Sequence, residues 1–408
     1  MTLRGYQIDI AQKALALLQR YKIVYIAAEV RCGKTLMALE AAKLYGARSV
    51  LFFTKKKAIP SIQKDYNNFG YGYALHVTNY EQAHKLNRDE YDFVVIDEAH
   101  SLAAYPKASL RTKHIKVITH DRPVIFLSGT PSPESYSGMY HQLWVSDNSP
   151  WARFRNFYDW AKQYVIVKQE RRGVYIINDY SGAIVDKVKS DIDNYILTYT
   201  QCEAGFICEV KEYFHEVEST CIPEFIKQIY KNRTINFIDD ICVAETPAAL
   251  MSKMHQLCGG AVIADKKTWI FSTEKAEYIS EKFKGKRIVI FYKFQAELDI
   301  LKKFFPETSE TPEEFQSTGN PYLSQIISGR EGITLDTADA IVMYSIDFAA
   351  VSYWQSRARL QSLHRSTPAE VHWIFTRGGI ENKIYKAVSA KKDFTLSWFN
   401  RQGGINAL

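Results

Sequence analysis

Two short segments constrain this chain more than anything else in it. One is Ala28-Glu29-Val30-Arg31-Cys32-Gly33-Lys34-Thr35 and the other is Asp97-Glu98-Ala99-His100. Each ends an apolar, β-branched run, 23–27 before the first and 93–96 before the second. Runs of that kind read as buried strands of a parallel sheet. A strand that leads through Gly-Lys-Thr into a helix describes a phosphate loop. Its backbone N–H groups and the helix N-terminus face a polyanion, Lys34 adds a mobile positive charge, and the Thr35 hydroxyl is placed to ligate Mg2+. The second segment supplies an acidic metal partner, Asp97, and a base for water, Glu98. Ala28 stands where the first glycine of the strict loop pattern usually stands. Alone, Gly-Lys-Thr is a weak signal and Asp-Glu-Ala-His could be a solvated turn. Their order, their strand contexts and their separation together imply a nucleoside-triphosphate hydrolysis site.

Strands and helices alternate through residues 1–147. Apolar runs stand at 23–27, 50–53, 74–77, 93–96 and 124–127, with helical patterns at 8–18, 35–44 and 59–67. Such alternation predicts a parallel sheet covered on both faces, with ligands beyond the carboxyl ends of its strands. A second alternating block occupies 269–408, with strands expected at 288–292, 325–328, 340–344 and 371–375 and helices at 295–304, 349–363 and 381–391. Between them, 148–268 carries an aromatic cluster from Trp151 to Trp160, basic residues Lys168, Arg171 and Arg172, and helical patterns at 223–232 and 247–258. It reads as an inter-lobe connection with an accessory insertion.

At 408 residues the chain is long enough for two or three cores. No apolar run approaches the roughly 18–20 residues of a membrane span, and the start of the chain lacks a signal-peptide core. A cytoplasmic location is expected, in the host cytoplasm if the chain is phage-encoded. The formal charge of +7 suits a polyanion partner without demanding one. The six cysteines form no Cys-x-x-Cys pair and are expected as free thiols. Cys202, Cys208, His215 and Cys221 match no familiar zinc spacing, so no zinc is expected. Asp193 with Glu209 and Lys211 has a faint nuclease-like look and no other support.

Further motifs widen the picture. Phe126-Leu127-Ser128-Gly129-Thr130-Pro131 follows an apolar strand, and Ser328-Gly329-Arg330-Glu331-Gly332-Ile333-Thr334-Leu335 precedes Gln355-Ser356-Arg357-Ala358-Arg359. With Leu3-Arg4-Gly5-Tyr6-Gln7, Thr78-Asn79-Tyr80 and Thr337–Val342, nearly the whole chain resembles superfamily-two helicases and translocases. Among these it is most similar to Swi/Snf-type DNA-dependent ATPases, in a compact phage- or bacterial-like form. The resemblance implies an α/β fold of two RecA-like parallel-sheet lobes in tandem with a connecting accessory segment, binding ATP and Mg2+ between the lobes.

Carried over residue by residue, the resemblance makes Lys34, Asp97, Glu98, Gln355 and Arg359 catalytic, with Thr35 and Asp97 holding the metal. Arg4, Tyr6 and Gln7 would meet the adenine, while Glu29, Val30, Arg31, Cys32, Gly33, Lys34, Thr35 and Gly332 would bind the rest of the nucleotide. The family usually has another arginine where Ser362 stands, so Arg357 and Arg365 stay open as alternatives to Arg359. Ser128 and Thr130 would couple nucleotide to nucleic acid. Thr54, Lys55, Thr78, Asn79, Tyr80, Tyr292, Lys293, Arg330 and Thr334 would contact nucleic acid, chiefly its phosphates and without sequence preference. The implied partner is DNA, duplex or branched, and a monomer is expected. The implied activity is ATP-driven movement on DNA, possible contexts being branch migration or fork remodelling. A strand-separating helicase on DNA or RNA, which a wedge hairpin in 165–185 would favour, and a nucleotide-gated adaptor without motor activity are the alternatives.

Overall fold

The computed structural model describes residues 2–132, 135–172, 175–206, 210–237, 240–264, 267–326, 335, 337–349, 352 and 368–390. The chain divides into two compact units, Met1–Gly205 and Phe206–Leu408.

The first unit is built on a six-stranded sheet: β1 (Ile23–Ala28), β2 (Ser49–Thr54), β3 (Ala74–Asn79), β4 (Phe93–Asp97), β5 (Val124–Leu127) and β8 (Ile196–Tyr199), in the spatial order β3-β2-β4-β5-β1-β8. Every neighbouring pair is parallel. Helix α1 (Gly5–Tyr21) buries Ile10, Ala11, Ala14 and Leu18, an apolar stripe at helical spacing. Helices α2 (Lys34–Tyr45), α3 (Ile59–Phe69) and α4 (Leu110–Thr119) complete the alternation. The strand order brings the carboxyl ends of β4, β5 and β1 side by side, so the acidic segment, the Ser128 turn and the phosphate loop become neighbours.

The stretch 148–268 is divided between the units and does not form a separate body. Helix α5 (Met139–Trp144) precedes it. Within it, α6 (Phe157–Tyr164) and α7 (Val185–Ile192) pack into the first core, where Trp151, Trp160 and Tyr164 join Tyr25, Phe126 and Tyr140. Among the described residues, strands β6 (Lys168–Arg172) and β7 (Tyr175–Asp179) pair with each other as an antiparallel ribbon. Strand β8 enters the first sheet beside β1, with Ala28 opposite Tyr199. Four residues, Ile-Leu-Thr-Tyr, are too short a run to announce a strand, and the long-range pairing is what defines it.

The second unit holds a five-stranded, wholly parallel sheet of β9 (Val210–Val217), β14 (Ile288–Tyr292), β15 (Tyr322–Gln325), β16 (Ala340–Met343) and β17 (Ala369–Thr376), ordered β15-β14-β16-β17-β9. Two antiparallel ribbons accompany it, β10 (Thr234–Asn236) with β11 (Ile241–Val243) and β12 (Ala261–Ala264) with β13 (Lys267–Ile270). Among the described residues its helices are α8 (Ile222–Asn232), α9 (Pro247–Cys258), α10 (Glu274–Lys282), α11 (Gln295–Phe304), α12 (Pro312–Thr318) and α13 (Glu381–Ser389). Alternate strand residues feed different cores: Val289, Phe291, Ile341 and Met343 one, Ile288, Ile290, Ala340 and Val342 the other. That is the two-faced burial of a parallel sheet, and the tandem RecA-like fold class read from the sequence is the one found.

Two local expectations need correction. The strand expected at 325–328 lies at Tyr322–Gln325, because its register sets Tyr322 and Ser324 against Val289 and Phe291. Cys202 is disulfide-bonded, while Cys32, Cys221, Cys242 and Cys258 are free. Bridging depends on the spatial approach of two Cα atoms, which spacing along a chain does not reveal. No helix among the described residues is long and apolar enough to cross a membrane.

Candidate nucleotide site

The candidate phosphate loop turns on two left-handed residues, Arg31 with φ 67° and Gly33 with φ 81°. Gly33 is the N-cap of α2, so the helix opens with Lys34 and directs its free N–H groups back over the loop. A side chain is impossible at Gly33 without rearrangement, since a Cβ there would lie 2.2 Å from Gln7 Nε2. Lys34 Nζ donates to the carbonyls of Ala28 (2.9 Å) and Glu29 (3.2 Å), lying across its own loop. Gly129, after β5, faces this ammonium; a Cβ there would stand 3.5 Å from Lys34 Nζ.

Across β5, Asp97 ends β4. Its Oδ2 accepts from Thr54 Oγ1 at 2.8 Å and its Oδ1 from the Glu98 N–H at 3.0 Å. Burial and the adjacent Glu98 carboxylate push its pKa up to about 6, while the Thr54 bond and the Lys34 charge pull it down. Glu98 itself sits at φ 52°, ψ 48°, a left-handed conformation that costs a non-glycine residue about 1–2 kcal/mol. Such strain persists only where surrounding contacts hold it. One of those contacts is His100, whose Nδ1 lies 3.2 Å from Glu98 Oε2 and 3.0 Å from Ser128 Oγ. Ser128 Oγ in turn accepts from the Thr130 N–H at 3.1 Å. The motif after β5 is therefore tied to the acidic motif through His100, a residue the sequence reading left without a role.

The donor set fits a Mg2+-bound polyphosphate. Two adjacent carboxylates, one of them with a raised pKa, repel each other in a half-buried place, and a divalent cation relieves that repulsion. Asp97 and the Thr35 hydroxyl supply hard oxygen ligands, and Lys34 with the α2 N-terminus supplies the positive cradle. Burial and the Glu29 and Glu203 charges push the Cys32 thiol up to about 11 against the pull of Lys34 and Arg4, so it stays protonated.

The amino-terminal motif is present beside the loop and is engaged with it. Gln7 is buried; its Oε1 accepts from the Arg4 N–H at 3.0 Å and its Nε2 reaches Cys32 O at 3.4 Å. Tyr6 OH also donates to Cys32 O, at 3.2 Å, and Arg4 donates to Tyr6 OH at the same distance. The Tyr6 ring stacks on Tyr199 with centroids 4.9 Å apart.

The residues expected at nucleic acid fall into different settings. Thr54 is fully buried and serves Asp97. Thr78 is buried, and so is Tyr80, which stacks on Phe53 and donates its hydroxyl to the Asp97 main-chain oxygen. Asn79 caps the following turn by accepting from the Gln82 N–H at 3.2 Å. Thr54 and Tyr80 thus hold Asp97 from its carboxylate and its main chain, and Lys55 is a half-buried residue directly after β2. In the second unit Tyr292 ends β14, and Lys293 is ion-paired with Asp347 at 2.8 Å and lies 4.3 Å from the Phe348 ring centre. Arg330, Gly332, Thr334, Gln355, Arg357, Arg359 and Arg365 lie outside the described residues.

No protein-family model and no curated protein matches the chain. Among solved structures it is similar to the Sulfolobus solfataricus SWI2/SNF2 ATPase core domain, at 16% identity over 96% of this chain and 89% of that chain, with a TM-score of 0.44.

Proposed function

We propose that this chain is a Mg2+-dependent ATPase driven by nucleic acid, a translocase on duplex or branched DNA. The observation that supports it is the meeting, at three adjacent strand ends of one parallel sheet, of a Lys34 phosphate loop, the Asp97–Glu98 carboxylates and a Ser128 turn linked to them through His100. In this reading Lys34 and the loop amides hold the phosphates, and Asp97 and Thr35 hold the metal, which offsets the charge that develops on the transferred phosphoryl group. Glu98 orients and deprotonates water. Arg359, with Gln355, is assigned to the same reaction by the sequence motif, and Arg4, Tyr6 and Gln7 to the base.

The test is the ATPase rate measured alone and with single-stranded DNA, duplex DNA, forked DNA and RNA. Stimulation by duplex or forked DNA is expected. Glu98→Gln should retain ATP and lose turnover by orders of magnitude, whereas Lys34→Ala should lose binding as well. Near-normal turnover in Glu98→Gln would remove the hydrolytic assignment.

One observation favours strand separation as a second reading. The β6–β7 ribbon carries Ile176 at 66% exposure and, just before it, Ile166 at 64%, with Lys168 and Arg171 on the same ribbon. Apolar side chains on a basic ribbon suit wedging between bases. Displacement of a labelled strand that fails when Ile176 and Ile177 become serine would support it.

A further inference from the structure

An anion cradle works only if the loop turns its N–H groups inward and its carbonyls outward. The outward carbonyls then need donors of their own, or the loop relaxes toward its unbound geometry. Here Cys32 O receives Tyr6 and Gln7 from α1. The other half of the loop is held by a segment far along the chain. The Glu29 N–H donates to Tyr199 O at 2.8 Å. The Gln201 N–H returns to Glu29 Oε2 at 2.7 Å, and Gln201 Nε2 donates to Val30 O at 3.0 Å. Gln201 is only 4% exposed, so these bonds are shielded from water and the amide has no cheap alternative partner. Strand β8 fixes the place of the segment by pairing with β1 up to Ala28 opposite Tyr199. Thr200 is set by Glu203, whose Oε2 accepts from its N–H at 2.6 Å and its hydroxyl at 2.7 Å.

We infer that Gln201 is a positioning residue for the bound triphosphate: by capping Val30 O and seating Glu29 it holds the phosphate loop in its anion-binding shape. The inference rests on the ATP-site reading above and adds to it a residue that no motif contains. The loop needs such support because Arg31 is a non-glycine residue in a left-handed conformation and Ala28 replaces the flexible first glycine. The chain leaves the first unit four residues after Gln201, at Gly205, so the segment that grips the loop is also the one that leads to the second unit.

The experiment measures dissociation constants for ATP and ADP with a fluorescent nucleotide probe, in the wild type, Gln201→Met, Gln201→Ala and Lys34→Ala. Gln201→Met keeps the volume and removes the donor. A positioning role predicts that Met and Ala both weaken ATP and ADP roughly fivefold to tenfold, the weight of one hydrogen bond. A packing role predicts that Met binds like the wild type, which would overturn the inference. Hydrogen exchange in the wild type gives an answer independent of how the variants fold. ATP should slow exchange at the Gln201 amide together with residues 29–33, and an unchanged Gln201 amide would also overturn it. If Lys34→Ala loses binding and Gln201→Met does not, the inference alone falls. If the wild type binds no nucleotide, or Lys34→Ala binds as tightly, the ATP-site reading falls and takes the inference with it.

Discussion

Lys275 and Glu381 form an ion pair inside the second unit, 2.8 Å apart and exposed by only 3% and 0%. Lys275 also donates to Tyr344 O, and Glu381 Oε2 accepts the Thr376 N–H at 2.7 Å. Lys275→Met leaves Glu381 buried without its counter-charge. Burial already pushes this carboxyl above its ordinary 4.5, and Lys275 is the largest influence holding it down. Without the lysine the group takes up a proton, which caps the penalty. Neutralising a carboxyl of ordinary pKa 4.5 at pH 7 costs about 3 kcal/mol. The orphaned Tyr344 carbonyl adds about 1 kcal/mol. The expected loss is thus about 3–4 kcal/mol at pH 7, within the range for breaking one side of a buried pair. The sign with pH follows from the raised folded-state pKa. The stability of the protonated form is fully present below pH 4.5 and is lost as pH rises through the raised folded value, so the penalty shrinks as the pH is lowered toward 4.5. Urea denaturation, read by hydrogen exchange in peptides of β16 and β17, reports the second unit by itself. Lys275→Met combined with Glu381→Gln should recover at least about 1 kcal/mol, because no buried charge remains. A single-variant penalty below about 1 kcal/mol, or one that does not move with pH, would refute the reasoning.

Three other outcomes are expected. Gly33→Ala should lower the melting temperature and weaken nucleotide binding, since φ 81° alone costs about 1–2 kcal/mol for alanine and the new Cβ strikes Gln7; Gln7→Ala in the same chain should relieve the clash and not the backbone cost, and a neutral Gly33→Ala would count against the loop geometry. His141 is buried beside Ala104 O, and burial lowers its pKa from 6.5 to about 4. Its contribution, about 3 kcal/mol, is therefore present above pH 6.5 and lost as pH falls toward 4; comparing urea midpoints of the wild type and His141→Gln across that range should show a steeper acid loss in the wild type. Lys293→Ala should leave the slope of log DNA affinity against log salt unchanged, because its charge is already matched by Asp347; a slope smaller by about one would place it on a phosphate.

Much of this protein was legible because the informative rules are local. A β-branched run followed by Gly-Lys-Thr specifies a strand, a left-handed turn and a helix start within a dozen residues, and alternation of such units specifies a parallel sheet. The sequence by itself therefore determined the two α/β lobes, the strand–turn–helix that opens at Lys34 and the strand that ends in the Asp97–Glu98 pair. Tertiary structure decided what those residues rest on. Thr54 and Tyr80 have side chains suited to a nucleic-acid surface, yet the strand order β2-β4 turns one onto the Asp97 carboxylate and the other onto its main chain. Lys293 looked available until Asp347, 54 positions later, came to lie 2.8 Å away. The aromatic run from Trp151 became first-unit core, its Trp151 and Trp160 rings packing on Tyr140, which no periodicity encodes. Gln201 meets Val30 across 171 positions of chain. Nothing in the local pattern around it differs from an ordinary turn, because a hydrogen bond between distant segments exists only once β8 has paired with β1 and the loop-closure entropy of bringing them together has been offset by the sheet.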